Sequence, residues 1–199
     1  MQRISYSQPD LRRILREFIS SDESSASVVD GVRYILNDIR LRGDAAVSDH
    51  LARIDKVQIA PAKFRVPGQV LQAAAEALSE ETTAAIIAAK ANIRAFHEKG
   101  LPKSWSGTNM HGAGVGERFY PLDRVGLYIP GGNAPLVSTI LMTAIPAKIA
   151  GVPSIAAFTP PGRDGRVNPG LLAACHFCGL DEVYCVGGPM AIAAMAYGT

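Results

Sequence analysis

The feature that most constrains the fold is the stretch 124–152, RVGLYIPGGNAPLVSTILMTAIPAKIAGV. Residues 125–129 form an apolar run with the length and composition of a buried strand. Pro130-Gly131-Gly132 interrupts this run, and a long apolar segment with helical character follows. A strand, a glycine turn and a helix in this order bring backbone N–H groups to the carboxyl end of the strand, where α/β proteins bind nucleotides and other anionic ligands.

The rest of the C-terminal part repeats the same alternation. Four of the 20 Lys and Arg and three of the 18 Asp and Glu fall in 124–199, as expected for a parallel sheet buried on both faces. The predicted strands are 124–129, 154–158 and 182–186, and the predicted helices are 135–150, 168–178 and 189–197. Three consecutive β-α units predict a right-handed parallel α/β half-sheet. Pro146 predicts a kink or an early break of the first helix near Ile145, because proline removes an N–H donor.

Helical periodicity dominates the N-terminal part instead. The predicted helices are 8–19, 28–41, 44–54, 70–78 and 79–97, with Asp44 and Ser79 as caps of the third and fifth. Residues 57–66 are predicted to be a loop or a short strand. The Gly-, Ser- and Asn-containing stretch 100–120 is predicted to be a linker with a hairpin around 111–114.

These patterns predict an α/β protein in three parts. Residues 1–22 form an N-terminal helical arm, 23–122 form a mostly helical segment of a first α/β domain, and 123–199 form an incomplete Rossmann-like parallel β-α domain.

Composition excludes several classes of protein. The formal net charge is +2, and the cluster Arg12, Arg13 and Arg16 shares its helix with Asp10 and Glu17, which is typical of a solvated face and not of a nucleic-acid site. Residues 125–147 carry no charge, but prolines and glycines interrupt them, so a membrane span is rejected. The N-terminus lacks a secretory signal, and a soluble, cytoplasmic protein is expected.

The glycine turns are the first candidates for binding chemistry. Pro130-Gly131-Gly132 and Gly187-Gly188-Pro189 each separate a predicted strand from a predicted helix, so the backbone can turn sharply and a ligand can approach it closely. Neither turn is a G-x-G-x-x-G, and no acidic residue follows at the sequence spacing from which it would hydrogen-bond a ribose. Spacing alone therefore leaves nucleotide binding and a plain βα turn as alternatives.

Metal and nucleophile chemistry finds little support. Cys175, Cys178 and Cys185 lack a second C-x-x-C and are interpreted as buried structural cysteines, with zinc binding as the less favoured alternative. The four histidines, His50, His97, His111 and His176, share no metal-ligand spacing. Lys148 is interpreted as a surface lysine and not as a catalytic amine.

The chain resembles the histidinol dehydrogenase family over nearly its whole length. The matching stretches are VGLYIPGGNAPLVSTILMTAIPAKIAGV, FTPP, CGLDEVYCVGG and AIAAMAYGT, together with RGDAAVSDHLARID and FHEKGLPKSW in the N-terminal part. The resemblance implies incomplete Rossmann-like domains in an intertwined homodimer. It also implies oxidation of L-histidinol to L-histidine by two hydride transfers to NAD, with a zinc ion holding the small-molecule substrate.

The resemblance assigns a cofactor site but no catalytic residue. It implies that Tyr128 contacts NAD, with Pro130, Gly131 and Gly132 beside it. The family glutamine of a second NAD contact is replaced here by Met190, whose thioether donates no hydrogen bond, so weak NAD binding is expected. Family members are about twice as long, and their zinc ligands and proton-transfer residues are expected to lie outside this chain, which alone should be inactive.

Three hypotheses about the function remain open. In the first, the chain is the amino-terminal part of a histidinol dehydrogenase; in the second, it is part of a dehydrogenase of another small polar alcohol such as sulfopropanediol. In the third, it is a short, non-catalytic homologue that acts as a binding or assembly module.

Overall fold

The computed structural model describes residues 4–20, 26–131 and 135–199. The helices are α1 (Leu11–Ser20), α2 (Ala26–Arg42), α3 (Asp44–Ile54), α4 (Gly68–Glu76), α5 (Glu80–Lys99), α6 (Val137–Ile149), α7 (Pro169–Phe177) and α8 (Gly188–Tyr197). The strands are β1 (Trp105–Thr108), β2 (Gly114–Glu117), β3 (Arg124–Tyr128), β4 (Ser154–Thr159) and β5 (Glu182–Cys185).

The predicted β-α units are confirmed as a parallel sheet in the order β3-β4-β5. Val125 aligns with Ile155 between the first two strands, and Ala157 aligns with Val183 between the last two. Helices α6, α7 and α8 follow the three strands in turn. The α/β fold class is therefore confirmed.

Helix α6 corrects one expectation. It continues through Pro146 to Ile149, so the early break predicted near Ile145 is wrong. Proline at this position leaves the carbonyl of Met142 without its helical donor. Met142 lies on the exposed side of the helix, where water can replace that donor, and the buried Ile145 holds the other side in the core.

The N-terminal part contributes an unexpected neighbour to the sheet. Val66 donates its N–H to the carbonyl of Val183 at 2.8 Å, and Cys185 donates to the carbonyl of Phe64 at 2.7 Å. Arg65 and Tyr184 form an isolated antiparallel bridge. Residues 64–66 therefore lie along the outer side of β5 through a single bridge, so 57–66 is a loop with one bridge and not the short strand that was the alternative prediction.

Helices of the N-terminal part cover the β-α units. Helix α4 packs against α7, α5 packs against α6, and α2 and α3 pack against α8. The buried apolar side chains form one cluster that runs from Ile35 and Leu51 to Val183 and Ala193. The domain boundary at residue 123 stays a prediction.

The predicted hairpin is confirmed. Strands β1 and β2 pair antiparallel, with Trp105 opposite Glu117 and Thr108 opposite Gly114. All residues of 101–124 are exposed, so the hairpin lies outside the apolar core.

One predicted helix start and one predicted cap are wrong. Helix α1 begins at Leu11 and not at residue 8, after a turn in which Ser5 and Gln8 bond each other. Asp44 is the first residue of α3 and not its cap; Gly43 is the cap, with a φ of 58° that favours glycine. Ser79 is confirmed as the cap of α5, since its side chain accepts a hydrogen bond from the Thr82 N–H at 3.2 Å. None of the helices in the described ranges is long and apolar enough to cross a membrane.

Candidate functional site

A cleft of about 260 Å³ opens at the carboxyl edge of the parallel sheet. Pro130 and Gly131 form one side, directly after β3, and Thr159 with the residues 160–162 forms the other side, directly after β4. The start of α7 at Asn168 and Pro169 closes the end. The structure thus brings two of the predicted site residues, Pro130 and Gly131, into one concavity, while Gly132 lies outside the described residues.

Tyr128 lies beside this cleft and not among its lining residues. Its hydroxyl oxygen accepts a hydrogen bond from the Gly188 N–H at 3.2 Å. The bond joins the end of β3 to the first turn of α8 and leaves the hydroxyl proton available to a further acceptor. Tyr128 therefore has a structural role, and the cofactor contact that the family resemblance implies for it stays a prediction.

Pro160 explains why both turns need glycine. A Cβ on Gly131 would lie 2.4 Å from Pro160 Cγ, and a Cβ on Gly187 would lie 2.3 Å from Pro160 Cβ. These separations are well inside van der Waals contact. Pro160 is therefore packed between the two glycine turns and sets the shape of the carboxyl edge.

Thr159 is the site residue that the sequence did not single out. It is 3% exposed and lines the cleft, and its Oγ1 has no hydrogen-bond partner among the described residues. A buried hydroxyl without a partner costs free energy, so such a group in a cleft indicates a ligand or water that completes it. The sequence feature that could have identified it is the position of Thr159, a polar residue at the end of an apolar strand, in the FTPP stretch.

Hydrogen bonds fix the loop that follows Thr159. Gly162 donates to the carbonyl of Arg166 at 2.8 Å, and Arg166 donates its N–H to Asp164 Oδ1 at 3.1 Å. Asn168 caps α7 by accepting from the Gly170 N–H at 2.8 Å. This side of the cleft is thus a preformed turn, as ligand sites commonly are.

Met190, in the first turn of α8, is only 1% exposed. The methyl carbon of its side chain lies 3.6 Å from the position that a Cβ on Gly188 would take. The side chain therefore packs beneath the second glycine turn, where a glutamine amide would need a polar partner.

The interpretation of the cysteines as buried residues is confirmed. All three are free thiols in the core. Burial, with the neighbouring Cys178, raises the pKa of Cys175 to about 12, and burial with Asp164 and Asp55 raises the pKa of Cys185 to about 11. Protonated thiols are poor nucleophiles and poor metal ligands.

Lys148 is confirmed as a surface residue. Its ammonium donates to the carbonyl of Gly179 at 2.6 Å, and Lys90 donates to the carbonyl of Phe177 at 2.5 Å. The two lysines thereby satisfy carbonyls at the end of α7, where positive charge is favourable. This arrangement is structural.

His50 has a structural role as well, because it is buried and bonded to neighbouring side chains. The ring is 3% exposed, with Nε2 2.9 Å from Asp38 Oδ2 and Nδ1 3.0 Å from an Arg53 nitrogen. Among the described ranges, no group of three or more His, Cys, Asp or Glu is placed to hold a metal ion.

Known proteins share both the sequence and this architecture. A sequence model of the histidinol dehydrogenase family matches residues 19–199. The chain belongs to the histidinol dehydrogenase family. This confirms the resemblance seen in the glycine-turn stretch and its neighbours.

Individual members of the family agree with this placement. Histidinol dehydrogenase of Synechococcus is 41% identical over 196 residues, which are 98% of this chain and 45% of the relative. The protein of Symbiobacterium thermophilum is 45% identical over 168 residues, which are 84% of this chain and 38% of the relative. The crystal structure of histidinol dehydrogenase from Elizabethkingia anophelis superposes with a TM-score of 0.82 at 33% identity, covering 89% of this chain and 40% of that one.

The chain spans less than half the length of the curated relatives it matches. The family is an oxidoreductase family in histidine biosynthesis, and this chain holds one part of its architecture.

Proposed function

We propose that this chain supplies the NAD-facing part of a dehydrogenase that oxidises L-histidinol to L-histidine. The observation that carries the proposal is the cleft at the carboxyl edge of the parallel sheet, in a chain that belongs to the histidinol dehydrogenase family. In α/β proteins this edge is where nucleotide ligands bind.

The residues of the edge fit an NAD molecule. Pro130 offers a rigid apolar ring, Gly131 offers backbone without a side chain, and the unpartnered Thr159 hydroxyl offers a hydrogen bond to a polar ligand group. Tyr128 lies next to them with a hydroxyl proton to donate. Bound there, NAD would supply the hydride acceptor, and these four residues would hold and orient it.

Zinc does not fit the described residues in the same way. No cluster of three candidate ligands exists in the described ranges, and the three thiols are buried, with raised pKa values. We therefore assign no zinc ligand and no catalytic residue here, and we propose that this chain alone does not turn over histidinol. A homodimer is proposed as the assembly, because 101–124 is an exposed stretch that carries large apolar side chains.

Titration calorimetry of the 199-residue chain with NAD tests the proposal. We expect weak but measurable heat in the wild type and a loss of about threefold to tenfold in affinity in Thr159→Val, because one hydrogen bond to the ligand is removed. Thr108→Val on the exposed strand β1 is the matched control, and its affinity should equal that of the wild type.

Two results would contradict the proposal. Absence of heat at millimolar NAD in a folded sample would show that the chain has no cofactor site. Equal affinity of Thr159→Val and wild type would show that Thr159 does not bind NAD. An absorbance assay for NADH with histidinol and zinc tests inactivity, and measurable turnover by this chain would show that its own residues suffice for catalysis.

A further inference from the structure

A second concavity, of about 690 Å³, lies beside the cleft at the carboxyl edge of the sheet. We call that first cleft, which contains Pro130, Gly131 and Thr159, the cofactor cleft. The walls of the second concavity are the segment 56–67 on one side and the loop 163–166 on the other. Five cationic residues line it, and Asp164 is the single acidic residue among the described residues that do so; the five are Lys56, Lys63, Arg65, Arg163 and Arg166. We call this concavity the cationic groove.

The two walls lie close to each other. Gly165 has a φ of +76°, and a Cβ there would lie 3.2 Å from Val57 Cγ1. The Cys185 thiol points to the carbonyl of Gly165 at 3.8 Å, and Gly165 donates to the carbonyl of Gly162 at 2.9 Å. The loop is therefore bonded to β5 and closed by its own hydrogen bond, and it lies near the opposite wall.

The cations of the groove are only partly balanced within the described part of the chain, where hydrogen bonds from Tyr184 and Arg124 and, to a smaller extent, the charge of Arg65 lower the pKa of Glu182. None of the five forms an ion pair there, although other arginines such as Arg42 and Arg124 do. Lys56 donates to the carbonyl of Arg53 at 2.7 Å, and Arg65 donates to the carbonyl of Asp181 at 3.1 Å, which orders both side chains without removing charge.

Asp164 offsets one of the five positive charges and leaves a formal excess of four among the lining residues. One of its carboxylate oxygens accepts the Arg166 N–H within its own loop. The remaining like charges repel one another across a concave surface, where counter-ions concentrate. A multivalent anion in the groove would remove this repulsion and give the arginines bidentate partners.

We propose that the cationic groove binds a phosphate-bearing small anion of the pyrophosphate type. Its volume is in the range of small-molecule sites. Aromatic side chains, on which nucleic-acid bases stack, are absent from the described residues that line it. The chemistry therefore favours the phosphate group itself over a nucleic acid.

The pyrophosphate group can come from two sources. Asp164 and Arg166 line both the groove and the cofactor cleft, so the two concavities share a wall. The group can belong to a dinucleotide that reaches over this wall or to a free polyphosphate. Anion binding in the groove is argued from the charges of its own residues, so it does not require the proposed cofactor site.

Calorimetric titration of the 199-residue chain with inorganic pyrophosphate tests the site. We expect binding that weakens as ionic strength rises, because salt screens the charges. The double variant Lys63→Gln, Arg163→Gln removes two cations that line the groove but not the cleft. Its affinity for pyrophosphate should fall about tenfold or more, since charged hydrogen bonds are lost.

The matched control is Arg12→Gln, Lys103→Gln, which makes the same charge change at two exposed residues outside the groove. The control should bind pyrophosphate as the wild type does. The proposal is overturned if the wild type does not bind, or if the two double variants lose affinity equally. Circular dichroism of both variants verifies their fold, and Lys56→Gln provides an independent third variant.

A competition experiment separates the two sources. If saturating NAD displaces pyrophosphate, and the groove variant weakens both ligands, the group belongs to the dinucleotide. If both ligands bind together, and the groove variant weakens pyrophosphate alone, the ligand is a free polyphosphate. If the groove holds a single-stranded oligonucleotide that pyrophosphate fails to displace, the assignment to a small anion is wrong.

Discussion

At the residue scale, the carboxylate of Asp38 takes part in several hydrogen bonds at once. Arg42 donates two hydrogen bonds to it, both at 2.7 Å, and the buried His50 contacts it at 2.9 Å from the next helix. Asp38 therefore joins α2 to α3. The hydrogen bonds from Arg42, with its charge and the contact with His50, lower the pKa of Asp38 to about 2.

This shift predicts a specific pH dependence. The folded-state pKa is below the ordinary value of 3.8, so the contribution of Asp38 to stability is present above pH 3.8 and is lost as the pH falls to about 2. Urea unfolding of Asp38→Asn should therefore show a deficit relative to wild type near neutral pH that shrinks across this window. Asp30→Asn, in an exposed pair with Arg33 on the same helix, is the control and should show a smaller deficit. A deficit of Asp38→Asn that is independent of pH would contradict the assignment.

At the element scale, Pro160 couples the turn after β3 to the turn before α8. Gly131→Ala should destabilise the fold by roughly 1–3 kcal/mol, because the new Cβ overlaps the proline ring. Adding Pro160→Ala should restore Gly131→Ala, since the Cγ at 2.4 Å is removed and the remaining Cβ lies at 3.5 Å. A double-mutant cycle of unfolding free energies measures this coupling.

The second glycine turn provides the contrast. Gly187→Ala should not be restored by Pro160→Ala, because the overlapping atoms are Pro160 Cβ at 2.3 Å and Cα at 2.7 Å, which alanine keeps. Gly31→Ala on α2, where nothing lies within 4 Å, is the control and should stabilise the helix slightly. Equal rescue at both turns would show that Pro160 is not the constraint.

The elements themselves were largely predictable, because their signals are local. Periodicity and turn residues gave the β-α units and the cap at Ser79, whereas Gly43 was missed as a cap because its positive φ is a backbone property. The pairing of residues 64–66 with β5 joins segments more than a hundred positions apart and has no local signature. For the same reason, the sequence alone does not predict that Pro160 packs against both turns. It also does not predict that the Thr159 hydroxyl lacks a hydrogen-bond partner.

At the scale of the whole molecule, the chain leaves two kinds of surface uncovered. Strand β3 pairs with β4 alone among the described residues, so its outer edge is open. The exposed stretch 101–124 carries Trp105 at 55%, Tyr120 at 74% and Leu122 at 67% exposure. Large exposed apolar groups and an open sheet edge each favour association.

We expect the chain to self-associate with rising concentration. Light scattering should give a mass above the 21.1 kDa of one chain, and the emission of the single tryptophan should shift to the blue as Trp105 becomes covered. Leu122→Ser should weaken the association, whereas Leu41→Ser, at an 84% exposed site on α2, should not. A monomer at every concentration would contradict the expectation.

We propose that the carboxyl edge of the β3-β4-β5 sheet faces the cofactor. The most direct test is an amide NMR titration of the ¹⁵N-labelled chain with NAD. We expect chemical-shift changes that cluster at Tyr128 and Gly131, at Thr159, and in the loop from Gly162 to Asn168. Unchanged spectra at millimolar NAD, or changes confined to residues away from this edge, would contradict it.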